Sequence, residues 1–310
     1  MASFLVTGGA GFIGSNIVEY LLAAGHRVRV IDNFATGARD NLSAFMDRID
    51  LIEGDIRQPP DCARACDGID YVLHQAAVPS VHRSVEAPLE SHENNITGTL
   101  NLLVAARDAK VRRFVYAASS SAYGDQPGDS KDESLRPDPL SPYGVAKLAC
   151  EYYLKAFHVC YGMQTVSLRY FNVFGPRQNP RSEYSAVIPR FITAVLNGQR
   201  PIIYGDGHQA RDFTYVENNV RANVLAATGA FEARGQVYNI ACGESYSLLD
   251  LLEFIQKITG TRVQPEFAPP RVGDVRLSKA DITRARQDLG YEVTVPFEEG
   301  LRRTIEYYRG

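Results

Sequence analysis

Short apolar runs recur along the first half of the chain: SFLV at 3–6, RVRVID at 27–32, IDLIEGD at 49–55, DYVLHQAA at 70–77 and RRFVYAAS at 112–119. Such near-continuous runs predict strands buried on both faces, the condition of a parallel sheet covered by helices on each side. Between them, Ile96, Leu100, Leu103 and Val104 repeat at helical spacing, and Val145, Leu148, Tyr152 and Val159 do so again. The pattern predicts an α/β fold with a doubly wound parallel sheet. After TVSLRYFNV at 165–173 the alternation gives way to loops rich in proline, glycine and arginine and to shorter mixed elements. The expected organisation is a parallel-sheet domain over 1–170, with segments returning to it over roughly 212–236, and a smaller mixed α/β domain over 171–310.

A chain of 310 residues, 45% hydrophobic and 22% charged, can bury a full core. A net charge of -3 argues against a generic nucleic-acid surface, so an anionic ligand would be met by a few placed arginines. The five cysteines, Cys62, Cys66, Cys150, Cys160 and Cys242, are an odd number, and the first strand begins close to Met1 without a signal peptide. The expected setting is the reducing cytoplasm. Thinly spread cysteines and scattered histidines predict no metal site, and no apolar run is long enough to span a bilayer.

TGGAGFIG at 7–14 follows the first strand and opens a helix, satisfying G-x-x-G-x-x-G through Gly8, Gly11 and Gly14 and G-x-G-x-x-G through Gly9, Gly11 and Gly14. Glycines there permit a tight turn, bring backbone N–H groups to a pyrophosphate and allow close helix packing, as in Rossmann-type dinucleotide sites. Asp32 ends the second strand, where a carboxylate receives ribose hydroxyls and repels a 2'-phosphate, selecting NAD; alternatively it caps the turn that follows with Asn33. Gly54, Asp55 and Ile56 end the third strand, at the adenine position.

VYAASSSAYG at 115–124 places serines at a strand end, and SPYGVAK at 141–147 places Tyr143 and Lys147 one turn apart on a helix that Ser141 caps and Pro142 begins. A phenol titrates near 10, so acting as a base near neutrality requires a shift of about 3 units, about 4 kcal/mol. A neighbouring ammonium, a positive nicotinamide ring and the helix N-terminus all favour the phenolate. The expectation is a lysine-tuned tyrosine that removes a hydroxyl proton as hydride leaves the same carbon.

These motifs together, with RYFNVFGPRQ at 169–178, YGDGHQARDF at 204–213 and RVGD at 271–274, resemble the extended short-chain dehydrogenase/reductases, specifically the nucleotide-sugar epimerases, over essentially the whole chain. The resemblance implies catalysis by Ser119, Tyr143 and Lys147. It implies NAD contacts from Gly8, Gly11, Phe12, Ile13, Gly14, Asp32, Asn33, Gly37, Asp55, Ile56, Gln75, Ala76, Ala77, Asn95, Tyr143, Lys147 and Tyr170. For a UDP-sugar it implies Ser80, Ser84, Ser119, Ser120, Ser121, Asn172, Ala186, Val187, Tyr204, Arg211, Arg271, Asp274 and Ser278, with the two arginines on the diphosphate. Alternative partners are Asp206 or Asp212 for Arg211 and Asp274 for Arg271. Dehydratase relatives carry Asp-Glu after the catalytic hydroxyl residue; here Ser120 and Ser121 stand there, which leaves epimerisation. Ser278 occupies a place where a bulky tyrosine resembles a gate in glucose-restricted epimerases, so a small residue implies room for an N-acetyl group. Pro79 stands where similar proteins often have glycine. The helices near 95–109 and 144–160 match those that resembling proteins pair across a homodimer axis, or they cover the sheet within one chain.

Overall fold

The computed structural model describes residues 1–180, 186–270 and 275–310. The predicted strands form β1 (Ser3–Thr7), β2 (Arg27–Asp32), β3 (Asp50–Glu53), β4 (Tyr71–His74), β5 (Arg113–Ser119) and β6 (Thr165–Tyr170). The strand Arg234–Ile240 joins them at the edge beyond β6, giving one seven-stranded parallel sheet that runs from it through β6, β5, β4, β1 and β2 to β3. This is the Rossmann-type architecture of the expected class.

Alternation along the strands assigns each side chain to a face. In β1, Phe4 and Val6 enter one apolar cluster and Leu5 enters the other. The first face is covered by the helices Phe12–Ala23, through Ile17, Val18 and Leu21, and Val216–Thr228, through Val220 and Ala226. The second is covered by Pro59–Cys66, Gly98–Asp108 and Pro142–Tyr161, through Cys66, Leu102, Cys150, Leu154 and Phe157.

The apolar stripe read on the last of these helices points the other way. Val145, Tyr152 and Val159 are 50%, 61% and 70% exposed, while Ala146, Cys150, Leu154 and Phe157 make the buried face. Small and aromatic residues carry the inward contacts there, so hydropathy alone marked the outward side.

Beyond β6 the chain builds short pairings. Ala210–Arg211 lies between Tyr246–Ser247 and Leu277–Ser278, and Ile202–Tyr204 pairs with Glu266–Ala268. The helices Val187–Leu196, Leu248–Thr259 and Phe297–Arg309 enclose a cluster in which the Phe297 ring stacks on Tyr246 at 4.3 Å and on Phe213 at 5.6 Å. This cluster is continuous with the first face of the sheet.

Candidate active site

Strand order reverses between β1 and β4, and the loops leaving their carboxyl ends part to form a crevice. Gly8 follows β1 with a φ of 67°, and a Cβ on it would lie 2.8 Å from the Cα of Ala76 in the loop after β4. A Cβ on Gly14 would come within 2.2 Å of the Gly8 carbonyl oxygen. Only hydrogen fits at these two places, which draws the helix start, with Gly11 at its N-cap and Phe12 and Ile13 in its first turn, against the loop. Its orphan N–H groups make an anion cradle.

Asp32 is buried, and each of its carboxylate oxygens accepts one backbone N–H, from Ala10 at 2.9 Å and Phe34 at 2.8 Å. Turn capping is thus present, yet each oxygen keeps a further lone pair for a ribose hydroxyl. Burial pushes this carboxyl up and the two backbone bonds pull it down. Asn33 donates to Asp55 at 3.1 Å, and Arg57 beside it holds the Asp55 carboxyl at about 2. Gly37 lies against Ala10, where a Cβ would be 2.9 Å from the Ala10 carbonyl carbon. The cradle and the acidic strand end fit an NAD.

Four of the expected contact residues also have local partners. Ile56 packs its side chain over Gly98 in the core. Asn95 spends its amide on the loop after β4, accepting the Val78 N–H at 2.8 Å and donating to the Val78 carbonyl at 3.3 Å. Ser84 is buried and donates to Val81 within its own turn at 2.6 Å. Ser80 caps that helix by accepting the Arg83 N–H at 3.0 Å. The three polar side chains satisfy local backbone groups that burial or a helix start would otherwise orphan.

Gln75, Ala76 and Ala77 form the crevice wall after β4, and sequence reasoning missed what holds them. Thr7 Oγ1 accepts the Ala76 N–H at 3.1 Å. Asn223, remote in sequence and outside any motif, receives Gln75 Nε2 at 3.0 Å and donates to the Tyr170 hydroxyl at 2.6 Å; that hydroxyl in turn donates to Gln75 Oε1 at 3.2 Å. His74 is a packed strand residue, as its apolar surroundings in sequence implied. Thr99 donates to the Asn95 carbonyl at 2.6 Å, so its oxygen accepts from His74 Nε2–H at 2.9 Å, leaving Nδ1 to accept from Thr7 at 2.7 Å. The ring is neutral, and burial drives its pKa to about 3.

Ser119 at the end of β5 meets the helix Pro142–Tyr161, which Ser141 caps by accepting the Gly144 N–H at 3.1 Å. The Ser119 hydroxyl faces the Tyr143 phenol and donates to Ser121 Oγ at 3.1 Å, and Ser119 Oγ accepts the Ser121 N–H at 3.1 Å, at the head of the short turn Ser120–Ala122. Lys147 Nζ donates to the Ala117 carbonyl at 2.7 Å and lies 5.8 Å from the centre of the Tyr143 ring. The expected direction of tuning is reversed in the chain by itself. Burial pushes the Tyr143 phenol up to about 12, the nearby Ser119 hydroxyl only partly opposing it, and burial lowers Lys147 to about 8. Desolvation of the anion outweighs an ammonium whose own hydrogen bond goes elsewhere.

On the opposite wall, Asn172 is exposed with a φ of 30°, donating to the Asp212 carbonyl at 3.3 Å. Ala186 and Val187 begin a helix, and Tyr204 ends the strand Ile202–Tyr204. Arg211 and Ser278 are register partners on adjacent short strands. Of the carboxylates considered for Arg211, Asp206 meets Arg276 at 2.8 Å, and Asp212 accepts backbone N–H groups from Cys242, Gly243 and Ala280 at 2.9, 3.0 and 3.2 Å. Arg271 and Asp274 lie outside the described residues.

Residues 4–241 match the NAD dependent epimerase/dehydratase family. The UDP-glucose 4-epimerase of Mycolicibacterium smegmatis is 38% identical over 309 residues, covering 98% of each chain. Among solved structures, a UDP-N-acetylglucosamine 4-epimerase from Methanobrevibacter ruminantium M1 in complex with UDP-N-acetylmuramic acid superposes with a TM-score of 0.94 at 39% identity, covering 99% of this chain and 98% of that one. The UDP-glucuronic acid 4-epimerase of Bacillus cereus, with UDP-glucuronic acid and NAD, gives 0.91 at 35% identity and 99% coverage of both.

Proposed function

The chain belongs to the NAD dependent epimerase/dehydratase family, and on that premise we propose that it is a UDP-hexose 4-epimerase that interconverts UDP-GlcNAc with UDP-GalNAc and UDP-Glc with UDP-Gal. The observation that carries this is the meeting of Ser119, Tyr143 and Lys147 beside the Gly8–Asp32 crevice, with no acidic residue following Ser119 to eliminate water. Tyr143 takes the proton of the sugar 4-hydroxyl, with the Ser119 hydroxyl placed to hydrogen-bond the same sugar oxygen. NAD held by the Gly8–Gly14 loop and Asp32 would supply the hydride acceptor and donor that a 4-epimerisation needs, together with a positive charge that favours the phenolate. A fall from about 12 to neutrality is roughly 7 kcal/mol of bias toward phenolate, more than an ammonium at this distance gives, so the base is armed when the site is filled. Arg211 meets the diphosphate and Tyr204 packs on the nucleobase, in the C-terminal part of the chain over 171–310.

Ser278, beside Arg211, supports a pocket open to an acetamido group. A UDP-glucuronate 4-epimerase is the rival reading, favoured by the three successive hydroxyls Ser119, Ser120 and Ser121, which suit a carboxylate. Proton NMR of the protein with UDP-GlcNAc, watching the anomeric region, tests the choice. A near-balanced mixture with UDP-GalNAc supports the proposal, whereas conversion of UDP-glucuronate alone supports the rival.

The exposed stripe of Val145, Tyr152 and Val159 further suits a homodimer built on this helix. Sedimentation should give twice the mass of 34.3 kDa, and Tyr152→Glu should shift it toward the monomer.

A further inference from the structure

Lys147 is 3% exposed, and among the described residues no carboxylate forms an ion pair with its ammonium. The charged and titratable groups that face it are Tyr143, Cys150 and Glu151 on its own helix, Tyr116 on β5 and the neutral His74 on β4. Glu151 is committed elsewhere, receiving Arg169 on both oxygens at 2.8 and 2.6 Å. What remains is one carbonyl, that of Ala117, and the face of the Tyr116 ring, whose centre lies 4.8 Å from Nζ.

Tyr116 is fully buried against the helix Pro142–Tyr161, and among the described residues its hydroxyl meets no nitrogen or oxygen partner, only the weakly polar Cys150 thiol. A buried phenol that gains so little from its oxygen owes its place to its ring. We propose that Tyr116 is a positioning residue for the epimerase site, its π-face holding the Lys147 ammonium charged and in line with Tyr143. The quadrupole of a desolvated ring opposes the burial that drives protons off a lysine. The Ala117 carbonyl takes one N–H, which leaves two free for ribose hydroxyls and for the electrostatics of the phenol. This proposal rests on the catalytic reading of Lys147 given above.

The test is a 13Cε-lysine NMR titration of the NAD-loaded protein, with the Lys147 signal assigned by its loss in Lys147→Arg. The wild-type midpoint is expected below the ordinary lysine value, lowered by burial. Tyr116→Leu should lower it by about one pH unit or more, and Tyr116→Phe should restore it. Should Tyr116→Leu fail to fold, successive fluorination of a phenylalanine placed at 116 keeps the volume while weakening the ring face, and the midpoint should fall stepwise. A midpoint unmoved by Leu or by fluorination overturns the proposal, as does a fall in Phe equal to that in Leu, which would assign the effect to the hydroxyl. In the turnover profile the alkaline limb should move to lower pH in Tyr116→Leu, where a purely structural role would lower kcat without moving the limb. The titration needs no sugar, so absent epimerisation would strike the functional reading while leaving this result standing.

Discussion

The Nζ of Lys147 sits 5.8 Å from the centre of the Tyr143 ring while its hydrogen bond goes to the Ala117 carbonyl. The lysine therefore biases the phenol through space, and its removal should move a pKa before it moves the fold. In Lys147→Met the acid limb of kcat/KM should shift upward by about 1 to 3 units, with turnover at pH 7.5 down about 10- to 1,000-fold. Tyr143→Phe should abolish turnover and keep NAD; a stopped assay beside cofactor absorbance in the purified protein checks both.

His74 gives the stability a pH dependence with a definite sign. Its folded pKa is depressed from 6.5 to about 3, so its contribution is complete above the unfolded value and is lost as pH falls from 6.5 toward 3. The full window is worth on the order of 5 kcal/mol. Urea unfolding at pH 7.5 and pH 5 should show the loss, and His74→Gln should flatten this dependence.

Glu151 and Arg169 are each 4% exposed and paired on both oxygens, with the guanidinium also 4.4 Å from the Tyr123 ring centre. Glu151→Gln leaves a buried cation with a neutral partner and should cost about 3–5 kcal/mol in urea unfolding. The double change Glu151→Leu with Arg169→Met should recover most of it.

Ser278→Tyr should suppress conversion of UDP-GlcNAc about 100-fold or more by filling the space beside Arg211, sparing UDP-Gal. Equal losses on both sugars, measured side by side, would remove the steric argument.

The parts of this fold legible in sequence are those that local rules write. Strands buried on both faces show as apolar runs, the Gly8–Gly14 loop shows as spacing, and the Ser141–Pro142 helix start shows in two residues. The strand Arg234–Ile240 was hidden, because RGQVYNI alternates too little to announce a sheet edge. Asn223 was hidden because its partners Gln75 and Tyr170 meet only in space. The upward shift of Tyr143 in the chain by itself is hidden for the same reason: neighbouring charge can be inferred from spacing, whereas loss of water is a property of the closed fold.

The edge strand has a consequence for how the molecule comes into being. With Arg234–Ile240 not yet made, β6 ends the sheet with its ladder of backbone groups bare. A nascent chain that has emerged only through β6 thus carries every reacting side chain yet exposes a sticky margin. Synthesis must run on to residue 240 before that margin is sealed. Fragments cut near residue 170 should aggregate rather than survive as a free-standing nucleotide-binding unit.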